Sequence, residues 1–161
     1  MNEPRHDIDG RAQAIAAWRG LVLALPETAP HRLWLVDPDF GDWPLNEPAL
    51  LQAMTSWVRL PGRCMVWIGA DFEAVERRHP RLAAWRRDFA HGVQAWRPAA
   101  GERVDWPSWL LAERTAVALD DRVRWRGRTV TVPSELRELR EAVDALLQRC
   151  EPAWPGTVLG L

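Results

Sequence analysis

Two short apolar runs, Leu33-Trp34-Leu35-Val36 and Met65-Val66-Trp67-Ile68, constrain this chain more than any other feature. Neither alternates with polar residues, so each reads as a strand covered on both faces. Between them Leu50, Leu51, Met54, Trp57 and Val58 recur at helical spacing, with Asn46 placed to cap the helix and Pro61-Gly62 to turn the chain after it. A strand, a helix and a second strand in that order predict a parallel βαβ crossover.

The flanking segments extend this unit. Ala12, Ile15, Trp18, Val22 and Leu25 form the inner stripe of a helix over 11–25, ended by Pro26. Asp71 is placed to cap a short helix, and Pro80 to open another with Leu82, Trp85 and Phe89 inward and Arg81, Arg86, Arg87 and Asp88 off that face. Val93 to Trp96 reads as a third strand and 97–107 as a loop. Further on, Leu110-Leu111 and Ala116 to Leu119 precede Asp120-Asp121, which reads as a hairpin turn. Arg122-Val123-Arg124-Trp125-Arg126-Gly127 then alternates as a strand with one wet face. Ser134 opens a last helix with Leu136, Leu139, Val143, Leu146 and Leu147 inward. On its outer side, Arg137/Glu141 and Arg140/Asp144 have the spacing of exposed ion pairs. The expected fold is α/β: a single mixed sheet, with a parallel βαβ core plus an antiparallel hairpin, flanked by helices. Residues 1–10 read as a flexible leader and 11–161 as one domain.

Composition excludes several chemistries. All 21 basic residues are Arg. Without lysine there is no P-loop, no Schiff base and no His-x-Lys phosphodiesterase pair. A formal net charge of −1 argues against a strongly nucleic-acid-attracting surface, although residues 71–132 carry 12 Arg against 9 acids. Cys64 and Cys150 stand at no metal-ligand spacing and read as free thiols of a reducing, cytoplasmic setting. The first residues lack the basic and apolar regions of a signal peptide, and no apolar stretch is long enough to span a bilayer. Neither a membrane partner nor a cofactor is expected.

The order of elements resembles one half of a phospholipase-D-like domain, in which a βαβ unit precedes a hairpin bearing His-x-Lys-x4-Asp. Counted back from Asp120, that frame falls on Glu113-x-Thr115-x4-Asp120, with Gly127 following by seven. The nucleophilic His and the Lys are both replaced. Leu33 to Leu45, Arg78-His79-Pro80-Arg81 with Trp85-Arg86, and the tail from Pro152 onward are similar to an uncharacterised proteobacterial family of such domains that lacks the catalytic motif. This resemblance implies a binding or regulatory domain without phosphodiesterase activity. It also implies a protein partner or homodimer, since catalytic halves of the superfamily pair two copies of their motif.

The candidate site residues are few. Asp37, Asp39 and Asp42, with Trp43, leave the end of a buried strand, where ligands of open α/β sheets bind. Three carboxylates so close could hold Mg2+ or Ca2+ and support a metal-assisted hydrolase. Their commoner use is in Asx turns, and no metal is expected. Arg122, Arg124 and Arg126, joined by Glu113 through the motif frame, form the other candidate surface. Guanidinium forks suit the phosphates of RNA or nucleotides. The alternative is a solvated outer strand, which the near-zero net charge favours. His79 reads as a helix-junction residue, and Ser108 lacks a nucleophile elbow.

Overall fold

The computed structural model describes residues 6–156. The elements run β1 (Ile8–Asp9), α1 (Arg11–Leu23), α2 (Leu25–Thr28), β2 (Arg32–Val36), α3 (Pro48–Val58), β3 (Cys64–Ile68), α4 (Phe72–Arg78) and α5 (Pro80–Asp88). They continue β4 (Val93–Pro98), β5 (Ser108–Leu111), β6 (Ala116–Asp121), β7 (Arg126–Val130), α6 (Pro133–Leu147) and β8 (Cys150–Pro152). One open mixed sheet has the order β1-β7-β6-β5-β2-β3-β4-β8. The pairs β2/β3 and β3/β4 are parallel and every other neighbour is antiparallel.

The sheet divides the core in two. Along β2, Leu33 and Leu35 face the layer of α1, α3 and α5, while Trp34 and Val36 face α6. That is why the run is apolar throughout: both sides of the strand are covered. Trp18, Trp57 and Trp67 are fully buried on the first side. Each removes on the order of 4 to 6 kcal/mol worth of apolar area from water as an upper limit. On the second side α6 contributes Leu136, Leu139, Val143 and Leu146.

Several sequence expectations need correction. Residues 8–10 are not a leader: Ile8 is buried and pairs with Gly127 at the sheet edge; residues 1–5 and 157–161, which include half of the predicted tail, lie outside the described residues. The stripe of α1 is Ala14, Trp18, Leu21 and Val22, with Ala12 exposed. Asn46 does not cap α3, which opens with Pro48 and so has one amide fewer to satisfy. Its Oδ1 instead accepts the Arg81 amide at 2.8 Å and caps α5 from across a loop. Arg86, expected to lie off the inner face of α5, is buried. The alternating segment is not a strand either. Residues 122–125 form the β6–β7 turn, and Arg126 opens β7. Asp121 Oδ1 accepts the amides of Val123 and Arg124, both at 3.1 Å, and Trp125 takes a left-handed conformation with φ of 56°. Gly127, next along, admits no side chain, because a Cβ there would sit 2.2 Å from the Ala118 carbonyl oxygen.

Candidate functional site

The chain leaves the carboxyl end of β2 at Asp37, which is only 4% exposed. Its carboxylate accepts four hydrogen bonds. Oδ1 takes the amides of Asp39 (3.1 Å) and Phe40 (2.7 Å), and Oδ2 takes the Trp43 indole N–H (3.1 Å) and the Ser108 hydroxyl (2.6 Å). A buried carboxylate needs such donors to offset lost hydration. With four in place, its lone pairs are engaged within the protein.

The loop that follows is held at each residue. Phe40 adopts φ of 56°, packs edge-on against Trp67 at 4.9 Å, and its carbonyl contacts buried His79 Nε2 at 2.9 Å. Asp39 Oδ1 accepts the Gly41 amide at 3.0 Å. Trp43 stacks on Trp18 at 5.3 Å and meets Trp125 edge-on at 5.9 Å. Of the three predicted carboxylates, two are thus used in turns and Asp42 is exposed. Among the described residues no three His, Cys, Asp or Glu side chains gather as a metal site.

Asp37, Asp42 and Trp43 nevertheless share a cleft with Ser108, Arg122 and Trp125, of about 230 Å3 and open to solvent. A second depression of about 640 Å3 adjoins it through Leu119 and Arg122, and adds Asp105, Trp106, Trp109 and Asp120. The first is smaller than a typical small-molecule site. Together they make a surface of half-buried tryptophans lined by Arg122 and by Asp37, Asp42, Asp105 and Asp120. Asp37 is spent on its internal donors and Asp120 contacts Arg128, so Asp42 and Asp105 are the acids left beside Arg122.

The other predicted residues do not converge here. Glu113 lies in the β5–β6 turn, at the opposite end of β6 from Asp120, and its Oε1 accepts the His31 amide at 2.8 Å. Arg124 pairs with Asp121 at 4.0 Å, and Arg126 with Asp9 at 3.5 Å. Arg128, adjacent on the hairpin, contacts Asp120 (3.4 Å) and Glu135 (3.5 Å). Two of the three arginines of the predicted phosphate-binding face, Arg124 and Arg126, thus have a carboxylate within 4.0 Å, and Arg122 has none among the described residues.

Sequence reasoning set Ser108 aside for want of a nucleophile elbow and put Arg86 off the inner face of its helix, and the structure gives both a buried role. Ser108 is the one polar residue at the start of the Trp109-Leu110-Leu111 run, which was a signal that it faces a buried partner. Arg86 Nη2 donates to the Trp154 carbonyl at 2.9 Å and its guanidinium lies 5.6 Å from that indole. Burial pulls its pKa down, and no carboxylate is paired with it among the described residues.

No family model matches the chain, and neither does any curated protein. Among solved structures, the chain is similar to TrmBL2, an archaeal chromatin protein that shows a novel mode of DNA binding. The TM-score is 0.63 at 10% identity, over 95% of this chain and 56% of that one. At that identity the likeness is one of fold. The chain spans little more than half the length of this neighbour.

Proposed function

We propose that the chain is a non-catalytic binding domain of phospholipase-D-like lineage. The observation that carries this reading is the state of Asp37. The polar group best placed for chemistry at the end of β2 is engaged by four internal donors, and the hydroxyl beside it donates to that same carboxylate. A serine nucleophile needs a base free to take its proton. His79, the nearest candidate along the loop, faces the Phe40 carbonyl instead. Asp42 and Asp105 beside Arg122 further disfavour a phosphodiester substrate. The DNA binding of TrmBL2 supports a binding role for a fold of this kind.

The surface at this end suits a protein partner, a second copy of the chain included. Trp106, Trp109, Trp125 and Arg122 are the residue types enriched at interface cores, and Asp42 and Asp105 would receive a basic side chain. The test is hydrolysis of bis(p-nitrophenyl) phosphate, with and without Mg2+. The expected rate equals that of buffer. Turnover that disappears on Ser108→Ala would overturn the reading.

A further inference from the structure

Two of the arginines that line a groove at the opposite end of the sheet, Arg137 and Arg140, were expected in exposed ion pairs along α6. Arg137 and Arg140 have acids four residues on, yet neither pairs with Glu141 or Asp144 among the described residues. Both instead line a continuous surface made of two open depressions of about 740 and 760 Å3, which share Glu113 and Arg140. Arg114 borders the first depression and Arg32 the second. None of these four guanidinium groups is in an ion pair among the described residues. The one carboxylate in the groove, Glu113, is already occupied by the His31 amide (2.8 Å) and lies 3.4 Å from the His31 ring.

We infer that this groove binds the phosphodiester backbone of a duplex nucleic acid. Arg137 and Arg140 stand one helical turn apart on α6, with Cβ atoms roughly 5–6 Å apart, so their forks address neighbouring phosphates of one strand. Arg32 and Arg114, on β2 and on the β5–β6 turn, complete the lining of the same surface from other elements. Binders of single strands add exposed aromatic faces on which bases stack. The aromatic in this groove, Trp34, is 8% exposed with Arg32 lying 6.0 Å from its ring, so it offers no such platform. The groove recognises charge and backbone geometry, and base sequence does not enter. The site is independent of the acidic cleft beyond β2.

Fluorescence anisotropy of the full chain with labelled 20-base-pair DNA tests this. Binding is expected with Kd below about 100 μM at 50 mM salt. With three or four phosphates neutralised, affinity falls roughly 40- to 150-fold between 50 and 200 mM salt. The double variant Arg137→Glu/Arg140→Glu, at an exposed and a half-buried position of α6, keeps the parent's circular dichroism and loses at least tenfold in affinity. Arg77→Glu/Arg87→Glu, exposed on α4 and α5 and outside both surfaces, stays within twofold of the parent. Equal affinity for two 20-base-pair DNAs of unrelated sequence supports backbone recognition, and a tenfold difference between them overturns it. Tighter binding to single strands, an equal loss in the two double variants, or no binding at 50 mM salt overturns it.

Discussion

Asp37→Asn replaces one carboxylate oxygen with an amide nitrogen and leaves the shape intact, so it isolates the acceptor role of this side chain. The asparagine oxygen can still accept the Asp39 and Phe40 amides. Its NH2 group then faces Trp43 Nε1, which can only donate, and Ser108, which can rotate its hydroxyl to accept. The buried indole N–H loses its acceptor, at about 1–3 kcal/mol, and the two amide bonds lose their charge assistance. The total is on the order of 2–4 kcal/mol. For a domain of this size about 1 kcal/mol moves the midpoint by roughly 3 °C, so a melting temperature lower by about 6–12 °C is expected by circular dichroism. The Trp43 indole proton should also exchange with solvent faster. A variant that melts within about 2 °C of the parent would refute the hub and the loop architecture built on it.

Other substitutions probe other supports. Gly127→Ala drives a methyl into the Ala118 carbonyl, and nothing there but backbone can yield; a loss of about 2–4 kcal/mol in urea unfolding is expected. Arg86→Ala removes the buried donor to the Trp154 carbonyl and the packing against its ring, lowering stability by about 2–3 kcal/mol. Arg86→Lys should recover only part of that, since an ammonium lacks the fork. Burial raises the thiol pKa of Cys64 and of Cys150. Less thiolate is then present at pH 8, so both should react with iodoacetamide more slowly than free cysteine, and the lag should shrink as pH rises.

The parallel core was legible because its signals are redundant. In β2 and β3 every residue of the apolar run meets a covered face, and in α6 Leu136, Leu139 and Val143 keep one period from end to end. The hairpin was misread where two patterns coincide. Arg-Val-Arg-Trp-Arg has the period of a strand, but Asp121 offers the next amides an acceptor and the chain turns, leaving Val123 91% exposed. Tertiary satisfaction overrode local pattern again at Asn46, whose cap serves a helix that begins at Pro80.

At the site, the turn chemistry of Asp37 and Asp39 was readable from spacing, while the partner of Asp37 was not. Ser108 lies 71 residues further on, and only the antiparallel register of β5 against β2 brings it there. For the same reason sequence placed the arginines wrongly. Arg124, Arg126 and Arg128 look free in one dimension and meet Asp121, Asp9 and Asp120 in three.

Ser108→Ala, assayed in one preparation for melting temperature and for phosphodiester hydrolysis, separates a strut from a reactive group most directly. A hydroxyl that serves to hold Asp37 predicts a midpoint lower by about 3–6 °C, from a lost charge-assisted bond of about 1–2 kcal/mol, and hydrolysis at the buffer rate before and after the change. Hydrolysis by the parent protein that vanishes in the variant, with the midpoint unmoved, would contradict it.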